Sequence, residues 1–415
     1  MNIIRGFKTE LDPNDRQRTV LLQHAGTARF VFNWGLDRKI EAREKGEAYP
    51  TYVDLSRELN AVKKTEFPWM YDVSSKCVLN ALVNLDQAFK DFFRRCNKKS
   101  KGKKGFPRFK SRRNGVGSFR LHGHIHAGET HIKLPRIGSV RLKEHGYLPV
   151  SDVKILSATV SERAGRWFVS LQVETDVQPQ QYEKDELHPV VGVDLGIKTL
   201  AVCSDGMTFE NPNALKSKLK KLKRLQQSVS RKKKGSSNRK KAVKRVAKLH
   251  WRISNVRSDV LHKLTTYLTR AKSVVVIEDL NVSGMMKNRC LSRAISDVGL
   301  SELRRQLEYK GKWNGCLIIT ADRFFPSSKT CSECGWINAS LKLSDRTWVC
   351  LECGCIHDRD FNASVNLENC GTKTLLAVGS KESINACGEE GSGSDLGLSE
   401  TSLSEAGIRQ ETCSL

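Results

Sequence analysis

Apolar residues change period several times along the chain, and each change predicts an element. Residues 2–11 alternate loosely, as a strand does, and Asp12-Pro13-Asn14-Asp15 reads as a turn and helix start. Across residues 20–34, 55–62 and 78–93, apolar and small side chains recur at helical spacing and predict a small helical bundle. From residue 117 to 176 the period falls to two. Residues 154–160 and 167–173 flank Arg163-Ala164-Gly165-Arg166 and predict a β-hairpin. His122, His124 and His126 fall on one face if that stretch is extended, and read as surface or phosphate-contacting groups. Residues 177–188, with Gln-Pro-Gln-Gln, read as a linker.

Beyond the linker the pattern alternates between buried strands and helices, which predicts an α/β core. A short apolar run ends at Asp194, and Asp205-Gly206 sits between two candidate hairpin strands. Leu215, Leu219, Leu222, Leu225 and Val229 mark one apolar stripe. Val243, Val246, Leu249, Ile253, Val256, Val260 and Leu264 mark a second. With Lys232–Asn238 as the turn, they predict a helical hairpin within residues 212–270. Residues 274–277 form an all-apolar run ended by Glu278, typical of a buried parallel strand. Residues 300–307 predict an amphipathic helix and 316–320 another buried strand.

Charge narrows the class of partner. The 415 residues carry 71 Lys and Arg against 45 Asp and Glu, a formal net charge of +26. Residues 94–113 hold eleven basic side chains and no acid; residues 216–248 hold sixteen and no acid. Blocks of this kind point to a polyanion. In the first block, Phe106, Arg108, Phe109, Lys110 and Arg112 interleave aromatics with charge, as single-stranded nucleic-acid surfaces do. In the second, Lys220, Arg224, Lys241 and Arg245 lie off the apolar stripes and are expected to track a phosphate backbone. No run of eighteen apolar residues exists, and the N-terminus lacks a signal-peptide core. No membrane is expected, and a soluble cytoplasmic protein is. Residues 371–415 are rich in Gly, Ser and Glu and are expected to be disordered.

Two groups carry candidate chemistry. Asp194, Glu278 and Asp360 each stand where an element ends or begins. Converging, three carboxylates can hold two Mg²⁺ about 4 Å apart, which activate a water and stabilise the leaving oxygen of a phosphodiester. Asp279 and Asp358 are neighbouring acids. Thirteen Cys in a long chain without a secretion signal argue against a disulfide framework. Cys331, Cys334, Cys350 and Cys353 have the spacing C-x₂-C-x₁₅-C-x₂-C, which predicts one closed structural Zn²⁺ site. Cys355 and His357 lie close enough to compete with Cys353.

Gly192-Val193-Asp194-Leu195-Gly196-Ile197-Lys198, Val276-Ile277-Glu278-Asp279-Leu280-Asn281-Val282 and Asp358-Arg359-Asp360-Phe361-Asn362-Ala363 resemble the three RuvC motifs of the TnpB (OrfB) family. That family of insertion-sequence proteins is similar to the type V CRISPR effectors. The resemblance spans roughly residues 1–370. It implies an RNase H-like (RuvC) nuclease domain with an inserted zinc ribbon, an α/β and α+β multidomain chain. The expected division is an N-terminal nucleic-acid-binding β-barrel over 1–188 with a helical insertion over about 13–93, and nuclease domain over 189–326. A target-nucleic-acid-binding ribbon over 327–355, the third motif over 356–370 and the tail over 371–415 complete it. The implied activity is RNA-guided, Mg²⁺-dependent cutting of double-stranded DNA beside a short adjacent motif. The implied partners are a guide RNA from the insertion-sequence end, target DNA and the element's partner transposase. Asp194, Glu278 and Asp360 match the family's catalytic acids; Tyr52, Ser56, Lys76 and Asn80 resemble positions facing the adjacent motif. Two other readings use the same residues: a transposase performing strand transfer, and a non-catalytic nucleic-acid-binding regulator.

Overall fold

The structure is a computed structural model that describes residues 2–97, 105–150, 153–176, 189–342 and 344–379. The basic run at 98–104, the linker at 177–188 and residues 380–415 lie outside the described residues.

The chain begins with strand β1 (Asn2–Asp12). Helix α1 (Asp15–Glu44) starts at a capping box, in which Asn14 accepts from the Gln17 N–H and Gln17 reaches back to Asn14. Thr51 and Asp54 do the same for α2 (Tyr52–Lys63), and α3 (Ser75–Asn97) follows. A Cβ at Gly35 of α1 would meet Leu85 at 2.9 Å and Leu82 at 3.0 Å, so this glycine lets α1 and α3 approach closely. The helices are longer than their apolar stripes because capped polar turns extend them.

Strands β2 (Ser118–Leu121), β3 (His126–Ala127), β4 (His131–Leu134), β5 (Gly138–Leu142), β6 (Lys154–Arg163) and β7 (Arg166–Asp176) join β1 in an antiparallel sheet. Its order is β2-β6-β7-β1-β5-β4-β3. Strand β1 pairs with β7 over most of its length and with β5 at Leu11 and Asp12, so one strand carries both halves. Among the described residues no pairing joins β2 to β3. The β6–β7 turn is the expected hairpin, with Ala164 and Gly165 both at positive φ. Helices and sheet share one apolar core, including Leu21, Leu55, Leu85, Leu121 and Leu171.

The second half holds β8 (Val190–Leu195), β9 (Thr199–Cys203), β10 (Thr208–Glu210), α4 (Leu219–Ser230), α5 (Ser237–Ala271) and β11 (Val274–Glu278). Then come α6 (Val282–Met285), α7 (Ser292–Val298), α8 (Leu300–Asn314) and β12 (Leu317–Ala321). The sheet order is β10-β9-β8-β11-β12. The first three strands run antiparallel as a meander, and β8, β11 and β12 are parallel. Two short strands, β13 (Thr347–Val349) and β14 (Ile356–Asp358), pair antiparallel before α9 (Arg359–Gly379).

Three expectations need correction. The second apolar stripe is not one seam: Val243 and Val256 are exposed, and Ala242 is buried in their place. A stripe that steps by three drifts around a 3.6-residue helix and leaves the seam. Residues 371–379, expected to be disordered, instead continue helix α9 to Gly379. Gly371 does not break it, because a Cβ there would stand 2.3 Å from Val276 Cγ2; the glycine serves close packing on β11. His122 is not a surface group, since its ring bonds the Leu156 carbonyl at 3.1 Å and Asn80 Oδ1 at 2.9 Å.

Candidate active site

Strands β8 and β11 run in parallel register with Val193 beside Ile277. One step further along both brings Asp194 and Glu278 side by side at adjoining strand ends, about 4.8 Å apart in backbone. Side chains two apart share a face, so Gly192 and Val276 lie on the face these acids use. Helix α9 packs there. A Cβ on Gly192 would stand 1.9 Å from the Ser364 carbonyl oxygen and 2.5 Å from the Glu368 nitrogen. Helix backbone and strand backbone therefore touch, and only glycine fits. This contact carries the first turn of α9, with Asp360, to the strand ends.

The electrostatics agree with the geometry. Burial pushes the Asp194 carboxyl up to about 7, and the charges of Glu278 and then Asp360 push the same way; Arg359 and Arg346 oppose them. Three hard oxygen donors whose charges repel one another form a set suited to divalent cations.

The neighbouring acids do other work. Asp358 Oδ1 accepts the Phe361 N–H at 2.9 Å, a helix cap. Asp279 faces away from Glu278. It accepts from Arg304 at 2.7 Å and pairs with Arg323, and the Arg304 bond first of all holds its carboxyl below the usual range.

Several supporting residues had little or no sequence signal. The Ser327 hydroxyl donates to Glu278. Asn366 Nδ2 donates to the Ser327 carbonyl at 2.8 Å and to the Thr330 carbonyl at 2.6 Å. Asn362 Nδ2 donates to the Thr330 carbonyl at 2.7 Å, and its Oδ1 accepts from the Ser332 N–H. Two asparagines four apart, just after an acid, were the available sign of a helix face that grips a loop. Arg346 had no sign. Its Nη1 lies 3.2 and 3.1 Å from the two Asp360 oxygens, and closure of the Cys-rich segment brings it there.

The ligand atoms of Cys331, Cys334, Cys350 and Cys353 all lie within 4.8 Å of one another. Cys331 and Cys353 sulfurs are 3.6 Å apart, and those of Cys334 and Cys350 are 3.5 Å apart. Gly335 and Gly354 turn the two knuckles at φ of 79° and 75°. Cys355 instead gives its carbonyl to the Cys350 N–H at 2.9 Å. His357 Nε2 sits 3.0 Å from the Cys331 sulfur, and its ring packs on Trp348. Four convergent thiolates leave no open position and suit one Zn²⁺.

The nucleic-acid candidates separate by exposure. Lys220, Arg224, Lys241 and Arg245 stand on α4 and α5 away from the seam of Leu222, Leu249 and Ile253. Tyr52 and Lys76 are exposed, and Ser56 is partly so. Asn80 is a correction: it is 8% exposed and spends its amide on the Lys76 and Arg120 carbonyls and on His122. That amide joins α3 to β2 and is not free to read a base. Phe106 is partly buried. Its ring packs edge-on against Phe89 and Phe92 at 5.5 and 5.4 Å. Phe109, Arg108 and Arg112 are exposed, while Lys110 turns its ammonium over the Phe32 ring at 3.6 Å. No helix among the described residues is long and apolar enough to cross a membrane.

Comparison with known proteins bears on this arrangement. Residues 170–289 match the family profile OrfB_IS605, described as "Probable transposase". Residues 301–367 match one described as a Cas12f1-like TNB domain, and residues 1–48 one described as a helix-turn-helix domain. In this chain residues 1–48 contain β1 and the single long α1. A Streptomyces pristinaespiralis protein, provisionally named an RNA-guided DNA endonuclease, is 39% identical; the match covers 93% of this chain and 91% of that protein. The Escherichia coli K12 protein InsQ, with the same provisional name, is 34% identical over 94% and 95%. The fold is similar to that in a Cas12f1–sgRNA–target DNA complex, with a TM-score of 0.52 at 13% identity, covering 89% of this chain and 99% of that one.

Proposed function

The chain belongs to the TnpB (OrfB) family, and from that premise we propose that it is an RNA-guided, Mg²⁺-dependent DNA endonuclease of a transposable element. The observation that supports this reading is that the charges of Glu278 and Asp360 both act on Asp194 near the end of β8.

In this reading those three carboxylates hold two Mg²⁺ and are the catalytic residues. When bound, the cations supply an activated water and neutralise charge at the leaving oxygen. Ser327 fixes the orientation of Glu278. Arg346 ties Asp360 to the Cys-rich ribbon, so the state of the ribbon bears on the site. Zn²⁺ on Cys331, Cys334, Cys350 and Cys353 is structural. The sheet of β8–β12 with α9 is the RNase H-like domain, and the β1–β7 sheet with α1–α3 is the barrel-like nucleic-acid-binding domain. The basic faces of α4 and α5 hold phosphates of the guide RNA or target strand. Target choice lies with guide pairing, beside a short duplex motif read near Tyr52, Ser56 and Lys76. The protein acts in the cytoplasm on double-stranded DNA, with the element's transposase as a further partner.

The test is cleavage of a plasmid library with randomised flanks beside a fixed target, with the guide RNA co-expressed. Guide-dependent linear product with wild type and none with Asp194→Ala supports the reading; equal product from both would sink it. The family profile's own description keeps strand transfer as a second reading. Joined rather than linear products in the same assay would favour it.

A further inference from the structure

The loop between β12 and the ribbon brackets Glu278. Ala321, the last residue of β12, is beside Glu278 in register. The side chains that follow are committed within the fold, with one exception. Asp322 turns the chain, accepting the Phe324 N–H at 2.7 Å. Arg323 pairs with Asp279. Phe325 packs against the core of Val276 and Leu367. Ser327 bonds Glu278. Phe324 is left out: it is 86% exposed, and its ring meets no other ring or cation among the described residues. Its ring is open to a ligand, on the turn that follows the strand end in register with Glu278.

An exposed aromatic face is what a base of single-stranded nucleic acid stacks on. We propose that Phe324 is a positioning residue that stacks on a base of the single-stranded target segment entering the carboxylate site. Phe361, which follows Asp360 in α9, is also exposed, at 42%. The inference rests on the nuclease reading for the identity of the strand, not for the stacking itself.

The test uses the full chain with its guide RNA in two arms. The first titrates protein against single-stranded DNA carrying 2-aminopurine at successive positions, in Ca²⁺ to hold back cutting. Wild type is expected to quench one position strongly, Phe324→Ala to lose that quench and bind about ten-fold more weakly, and Phe324→Trp to restore it while Phe324→Leu does not. The second arm measures cleavage, where Phe324→Ala is expected to raise KM far more than it lowers kcat. Equal quenching by wild type and Phe324→Ala, or rescue by Leu as good as by Trp, overturns the inference. Phe324-dependent quenching without any wild-type cutting upholds the stacking and removes the nuclease reading instead.

Discussion

Glu278 and Asp279 are neighbours in sequence and turn to opposite sides of one strand end. The charge of Glu278 acts on Asp194 and its carboxylate accepts from Ser327, while Asp279 is held by Arg304 and Arg323. If the proposed site is right, Glu278→Gln is expected to lower kcat by more than about 100-fold with a normal melting temperature, because it would remove a hard anionic ligand. Asp279→Asn should keep most activity and lower the melting temperature instead; kinetics and thermal melts of both variants check this. A second residue sets a pH dependence. His24 is fully buried, its Nδ1 2.8 Å from the Val20 carbonyl and its Nε2 accepting the Ser74 N–H at 3.1 Å. Burial holds its pKa below the ordinary value of about 6.5. The folded state thus favours the neutral ring, while the unfolded chain takes a proton as pH falls below that value. The His24 contribution is complete above about pH 6.5 and is lost as pH falls toward the lowered folded value. Burial also lowers the His262 pKa and raises that of Asp194 to about 7. The difference in melting temperature between wild type and His24→Asn, followed from pH 7 to 5, isolates the His24 part and should shrink with acid.

At the scale of elements, the site depends on how closely α9 lies on β8. Gly192 and Gly371 are the two places where side chains would hold the helix off. Gly192→Ala puts a carbon 1.9 Å from the Ser364 carbonyl oxygen, so the helix must shift and Asp360 with it. A shift near 1 Å can cost about 100-fold in rate. Gly192→Ala is expected to lose cleavage by about that factor while far-UV circular dichroism stays unchanged; retained activity would mean that the helix packing does not place the acid. The apolar runs of β8 and β11 were legible as strands because their composition suits burial on both faces. The glycine in the middle of β8 carried no such signal, and its packing role appears when the partner helix is in place.

At the scale of the molecule, charge and core divide the work. The outer faces of α4 and α5 carry Lys220, Arg224, Lys241 and Arg245 on helices held by a narrow apolar seam. Replacing these four by Gln should leave the melting temperature nearly unchanged. It should also flatten the slope of log binding constant against log salt by about 0.7 to 0.9 for each phosphate left without its cation. A binding titration from low to moderate salt measures it; an unchanged slope would move the nucleic acid to another face.

What the sequence determined by itself is whatever depends on spacing along one element. It specified the alternation of strands and helices, the four-Cys knuckles, the three acids at element ends and the two basic helices, since each is written in local period and composition. The tertiary structure alone showed what occupies the neighbouring acids: Asp279 is held by Arg304 and Arg323, and Asp358 caps α9. It alone placed Arg346 on Asp360 and Ser327 on Glu278, pairings that need the Cys-rich segment and the β12 loop to fold back. It removed Asn80 from the nucleic-acid surface, because a buried amide is already committed to partners elsewhere in the fold, and it packed the Phe106 ring edge-on against Phe89. It left Phe324 in water beside the acids, which no pattern of neighbours in the sequence distinguishes from Phe325, half-buried against the core.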